Sequence, residues 1–339
     1  MKTNTITLDR DLPAVGLQKG TVISFDAEMR TIDDGLAFYI SQLSQVESRI
    51  YEAKYLNINF ADLIPIDTSM PEWVDSVDYI SIDAVTMGKF IGAAADDLPN
   101  VSANAHKSSI KVGYAGNSFE YTLDELRKSA QMRMPIDVSL ARAARRGAEE
   151  HMQEVAYFGD ADRGMTGLFN NPNVSLDNST LDWNDPATTP LEIVADVNDF
   201  LTSVWATSSN IHVPNTLVLP SERWSFLATT TASTVNPDVT IMDLLMKNNV
   251  YTKMTGQQLR VVPRLQLSAT ELAKYDAAIT KDRMMAYENN SENLVMHVPM
   301  VWRPIAPQAR NLKIKVPAEY KVSGVEFRYP LSGAYRTLI

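Results

Sequence analysis

Two alternating stretches constrain this chain more than any motif does. In Val77-Asp78-Tyr79-Ile80-Ser81-Ile82-Asp83-Ala84-Val85, apolar and polar residues alternate; Val77, Tyr79 and Val85 share one parity, and Ile80 and Ile82 interrupt it. Ser109-Ile110-Lys111-Val112-Gly113-Tyr114-Ala115 has the same character. Runs of period two predict strands. The connection between them, including residues 92–105, is longer than a tight hairpin needs. Together they describe a long two-stranded excursion with a small, polar, irregular tip. A two-stranded ribbon alone is marginal in water. Something else has to bury it, and Tyr79, Ile82, Val85, Phe90, Ile110 and Val112 are expected to lie across an adjacent subunit.

The rest of the chain reads as mixed α and β. The first 30 residues have weak periodicity and predict an extended arm, packed on a neighbouring copy, with one short strand at 21–25. Leu36, Ile40, Leu43, Val46 and Ile50 recur at helical spacing. Thr122 and Glu125 have the spacing of a capping box and open a short helix. Pro135 precedes the strongest helical signal, a narrow alanine-rich stripe of Leu140, Ala144, Ala148, Met152 and Val155, with Gly159 as its terminator. A turn-rich segment runs from Gly159 to Pro172, and 173–189 reads as a polar loop. Helices are predicted at 190–207 and 239–248, with a brief one capped by Ser221. Strands are predicted at 216–219, 258–267, 279–287, 294–301 and 325–329. No repeat and no linker separates autonomous domains.

Composition removes whole classes of function. The chain has 339 residues and no cysteine, so disulfides, thiolate metal sites and cysteine nucleophiles are excluded. Lys and Arg total 31 against 41 Asp and Glu, a formal net charge of -10. Such a chain is poorly suited to tracking nucleic acid through phosphate neutralisation. No stretch approaches 18 consecutive apolar residues, so no membrane partner is expected. The chain reads as soluble and intracellular.

Candidate chemistry is sparse. Asp160 and Asp162, among Gly159, Gly164 and Gly167, could form a metal or phosphate loop, but they lack the residues of a P-loop and the spacing of a calcium loop. Turn chemistry at a helix end explains them better. Asp96-Asp97 reads as an exposed acidic tip. His106, His151, His212 and His297 show no paired metal-binding spacing, and no nucleophile elbow is present. No catalytic residue, cofactor or metal is therefore assigned. Arg142, Arg145 and Arg146, with Glu149 and Glu150 one turn on, predict ion pairs within or between subunits. Fifteen methionines suit contacts that tolerate several geometries. An arm, a projecting hairpin and a long helix that cannot each bury their apolar faces imply a core completed by association.

Several segments in combination resemble a family of tailed-phage major capsid proteins. They are residues 42–55, Leu63-Ile64-Pro65-Ile66-Asp67-Thr68, Trp73-Val74-Asp75-Ser76-Val77, Ala95-Asp96-Asp97-Leu98-Pro99, Tyr121-Thr122-Leu123-Asp124-Glu125-Leu126-Arg127, Ala141-Arg142-Ala143-Ala144-Arg145-Arg146 and residues 164–174. The resemblance covers about residues 36–175, with the C-terminal strands fitting more loosely. It implies an α+β chain with the Hong Kong 97-type capsid fold. Its parts would be an N-terminal arm and first helix at 1–55, an extended E-loop hairpin at 56–121, a peripheral domain with a long spine helix at 122–189, an axial domain at 190–287, and return strands of the peripheral domain at 288–339.

The function so implied is that of a coat protein, not an enzyme. Pentamers and hexamers would tile an icosahedral head around packaged double-stranded DNA, assembled in the host cytoplasm and retained in the virion. Implied partners are other copies of the chain, a portal, scaffold or decoration proteins, and DNA held only by non-specific proximity. The negative charge fits a wall that must not grip DNA. Some capsids of this type join a lysine to an asparagine, but no complete Lys, Asn and acid set is matched here. A start at Met1 without a long helical leader favours a separate scaffold or none in cis. Two alternatives are a nanocompartment shell of the same fold, which would hold enzyme cargo in place of DNA, and a metal-assisted hydrolase built on Asp160 and Asp162.

Overall fold

The computed structural model describes residues 58–85, 102–132, 136–232 and 238–339. The predicted arm, the first helix, Phe90 and Asp96-Asp97 lie outside them.

A mixed five-stranded sheet sits between two hydrophobic clusters. Its order is Ser175–Asn178, Gly333–Thr337, Arg283–Tyr287, Thr216–Leu219, Arg260–Pro263. The outer pairs are parallel and the inner pairs antiparallel. Alternation along each strand divides the side chains between the two clusters. Val218, Met285, Tyr287 and Tyr335 enter the cluster that contains the end of the long helix. Leu217, Leu219, Met284, Ala286 and Ala334 enter the other. Both faces are covered, which is why Thr-Leu-Val-Leu and Met-Met-Ala-Tyr read as continuous apolar runs.

The second cluster is closed by Pro190–Thr207. Thr189 caps this helix in a capping box with Glu192, and Pro190 stands in the first turn, where its missing N–H costs nothing. Ile193, Val194, Val197, Phe200, Leu201 and Val204 are buried at helical spacing. The predicted helix at 239–248 is shorter, Ile241–Lys247, with Thr240 and Asp243 as its capping box. A separate helix, Val250–Thr255, follows and ends at Gly256 in the left-handed region. Ser221 is not a cap: Pro220 holds the N-cap position of Ser221–Thr229, with no side-chain cap bond.

The other large sheet holds the excursion. Ser76–Val85 pairs antiparallel with the upper part of Ser102–Thr122, from Val85 with Ser102 to Ser76 with Lys111. From Val112 onward, that long strand pairs with Lys313–Ser323, from Val112 with Ser323 to Thr122 with Lys313. Met300–Pro304 and Gln308–Arg310 flank the far side. The excursion is thus a ribbon only beyond Lys111, and its root is part of a five-stranded sheet. The strand Lys313–Ser323, unanticipated from sequence, buries Val316, Ala318, Tyr320 and Val322 on one face, and toward its end Lys321 and Ser323 are buried as well.

The long helix, Ile136–Phe158, packs against this sheet. Its 23 residues span about 35 Å at ~1.5 Å per residue. Burial grows along the predicted stripe, complete at Ala148, Met152 and Val155. The Tyr320 hydroxyl meets His151 Nδ1 at 2.9 Å, and Asn117 donates to the Ala144 carbonyl. Gly159 ends the helix with φ +71, and a Cβ there would lie 2.2 Å from the Met165 carbonyl oxygen. The turn then closes a small hairpin of Gly159–Asp160 with Met165–Thr166.

Three further expectations change. The predicted strand at 258–267 is Arg260–Pro263 followed by a 3-10 turn, Leu265–Leu267. The run at 294–301 divides into Leu294–His297 and Met300–Pro304, which join different sheets. The loop at 173–189 contains the edge strand Ser175–Asn178.

Candidate functional site

Three surfaces carry the residues singled out from sequence. The first is the ribbon. Val77 pairs with Ile110 and Tyr79 with Ser108, so Val77, Tyr79, Ile110 and Val112 share one face of the ladder. Tyr79 and Ile110 are half-buried. Val112 is 8% exposed, covered by its own subunit because it stands where the sheet begins, and so has little surface left for a neighbour. Ile82 and Val85 pair with Ala105 and Ser102 further along the same ladder. Lys107 Nζ and Asp78 Oδ2, 2.7 Å apart, tie the two strands.

The second surface lies at the ribbon's root. Trp73 is 79% exposed in the turn before the first ribbon strand. Beside it, Glu72 Oε1 accepts from Arg303 Nη1 at 2.9 Å, and Arg303 Nε donates to Glu319 Oε1 at 2.9 Å. Tyr114, half exposed, donates to Glu319. Both hydrogen bonds hold the Glu319 carboxyl below its usual range, and they raise Tyr114 and Arg303. Lys321 is 8% exposed and donates to the Asp75 carboxylate at 2.8 Å. Sequence reading missed this patch, although a tryptophan between Glu72 and Val74, in a turn with no apolar periodicity, was a signal for it.

The third is the outer side of the long helix. Arg145 Nε and Glu149 Oε1 are 2.9 Å apart, as are Arg146 Nε and Glu150 Oε1. Both pairs join residues one turn apart on the same helix.

Several polar groups elsewhere have structural employment. Asp160 Oδ1 accepts from the Asp162 and Arg163 amides, and Oδ2 faces Arg163 Nε at 3.3 Å, so its carboxylate is committed to the turn. His212 Nδ1 meets Glu288 at 2.7 Å. His297 is fully buried, with Nδ1 3.1 Å from Asp67 and Nε2 2.9 Å from Glu326. This triad joins Ile66–Asp67 to Leu294–His297 and Val325–Phe327. Arg336, 4% exposed, faces Asp177, Asp196 and Asp199. Burial opposes its charge, but the aspartates outweigh burial and raise it above the usual range. Among the described residues no cluster of His, Asp and Glu is arranged to hold a metal ion, and no helix is long and apolar enough to cross a membrane. What these surfaces can do is bind protein: they present exposed aromatics, paired charges and a projecting ribbon.

Comparison with known proteins agrees with this arrangement. The family model for the major capsid protein matches residues 87–339. The capsid of Myoviridae phage XM1 is similar in structure, with a TM-score of 0.74 at 15% identity, over 88% of this chain and 98% of that one. The capsid of a native GTA particle matches with a TM-score of 0.60 at 9% identity, over 91% and 99%. Mycobacterium phage Ogopogo matches with a TM-score of 0.56 at 11% identity, over 89% and 98%. No curated protein matches in sequence. The structural likenesses show the fold, the Hong Kong 97-type capsid fold, and the family model reaches further: the chain belongs to the major capsid protein family.

Proposed function

We propose that the chain assembles into pentamers and hexamers that tile an icosahedral head around packaged double-stranded DNA. The observation that carries this reading is the family match over residues 87–339, which spans most of the long sheet, the spine helix and the central sheet. The role is structural, without catalysis. Residues 56–121 act as the E-loop, 122–189 and 288–339 as the peripheral domain, 190–287 as the axial domain, and 1–55 as an arm held by other copies. Tyr79, Ile82, Val85, Phe90 and Ile110 meet an adjacent subunit, with Val112 at the margin of that contact. Arg145 and Arg146 add weak ionic contacts repeated around the shell. A portal, scaffold or decoration proteins complete the head, and DNA is enclosed without specific binding. Assembly takes place in the host cytoplasm.

The ribbon supports the clasp. Among the described residues it has two strands beyond Lys111, too few for independent stability. A biological contact has to bury on the order of 1,000 Å². Excision tests it. The cut must spare Val112 to Thr122, which belong to the sheet. Replacing residues 79–108 with a short Gly-Ser turn is expected to leave a folded subunit by circular dichroism that sediments as a monomer. Shells of normal size from the excised chain would overturn the clasp.

A further inference from the structure

An arginine with no hydrogen-bond or ion-pair partner among the described residues lines a cleft at the C-terminal end of the long helix. The cleft has a volume of about 350 Å³ and lies between Phe158, Leu176, Tyr275, Asp276, Arg283 and Tyr335. Most of its polar groups are already engaged. Tyr335 donates to the Leu168 carbonyl and accepts from the Asn171 amide, and Tyr275 donates to Glu154. Asp276 accepts from the Ala278 amide. Arg283 differs from them. Its Nε is buried and has no hydrogen-bond partner. No hydrogen bond or ion pair to its guanidinium is found among the described residues, and Asp276 stays beyond ion-pair reach. Burial accordingly pushes Arg283 below the usual range for arginine, partly opposed by Tyr335 and Asp276. Arg283 is partly buried, so part of its guanidinium has given up hydration without gaining a partner.

We propose that this cleft is a socket for a carboxylate side chain of a second copy of the chain. The inference rests on the capsid reading above and adds a residue-level contact to it. Charge complementarity favours that occupant. The chain carries ten more acidic than basic residues, so its copies offer carboxylates in excess. The rim is apolar and open: Leu176 is 50% exposed and Tyr275 44%. An acidic residue flanked by apolar neighbours would cover the rim and satisfy the guanidinium together. A nucleic-acid phosphate fits less well, since it brings no apolar neighbours to cover Leu176 and Tyr275 at the rim.

Two measurements test it. In a near-atomic electron-microscopy map of assembled parent shells, a carboxylate of a second copy is expected within 4 Å of the Arg283 guanidinium, a distance on the order of an ion-pair contact. An empty cleft, a guanidinium turned onto its own Asp276, or density for a free ion or a phosphate backbone would overturn the proposal. The second uses Arg283→Met. The unassembled variant is expected to melt at or above the parent's temperature, having lost an unpaired, partly buried charge. Its shells are expected to dissociate at lower denaturant, with Arg283→Lys in between. Met-variant shells as resistant as the parent's would also overturn it. A parent chain that forms no shells removes the capsid reading and this inference together, whereas shells with an empty cleft remove the socket alone.

Discussion

His297 carries a carboxylate at each ring nitrogen and no exposed surface. Each ring nitrogen therefore has a carboxylate as its hydrogen-bonding partner. Glu326 is buried with it and also meets Arg328 Nε at 3.3 Å. Removing the ring leaves buried carboxylate oxygens without their hydrogen-bonding partner, at a cost of about 1–3 kcal/mol or more. His297→Ala is therefore expected to lower subunit stability by about that amount in denaturant titration; a loss below about 1 kcal/mol would place little of the strand pairing on this triad. Asp67, at its rim, behaves differently. Hydrogen bonds from the Ser69 hydroxyl and amide, then His297, hold its carboxyl below the usual range. A depressed folded-state pKa stabilises above the unfolded value and loses that contribution as pH falls through the folded one. The stability gap between the parent and Asp67→Asn is expected to be widest near neutrality and to shrink below pH 3.8, the ordinary value for the group. A gap that grows on acidification would reverse the assigned sign.

At the scale of elements, the spine helix shows how little the ion pairs need to contribute. Arg145 is 67% exposed in its side chain, so its bond to Glu149 is screened by water. Exposed pairs of this kind contribute ~0–1 kcal/mol. Arg145→Ala/Arg146→Ala is expected to melt within a few degrees of the parent as a subunit, while its assembly loses salt dependence. Unchanged salt dependence would remove the ionic role. The helix was legible in sequence because Pro135, the 140-144-148-152-155 stripe and Gly159 agree with one another. Pro190–Thr207 was legible for the same reason. The strand Lys313–Ser323 was not, although Ile314, Val316, Ala318, Tyr320 and Val322 alternate cleanly. Pro317 within it argues against a strand from sequence alone. In the structure the residue keeps its register with Ser118, and its carbonyl accepts from the Ile305 amide. Missing that strand made the whole excursion look two-stranded, when its lower half is the middle of a sheet.

At the scale of the molecule, the fold class was legible through the combination of segments and the candidate contacts only in part. Long-range pairing is the reason. The triad of Asp67, His297 and Glu326 joins residues more than two hundred positions apart, and no spacing in the chain announces it. Trp73 at least left a trace, a lone tryptophan between Glu72 and Val74, whereas its neighbours Arg303 and Glu319 lie more than two hundred positions along the chain. A subunit that leaves Trp73, Tyr114 and a two-stranded ribbon on its surface is built to be completed by others like it. The direct measurement is electron microscopy of the purified full-length chain. Closed icosahedral shells with fivefold and sixfold capsomers, in which the ribbon of one subunit crosses the next, are the expected result. A monodisperse monomer at concentrations and salt conditions that favour association, with no rings or shells in any field, would contradict it.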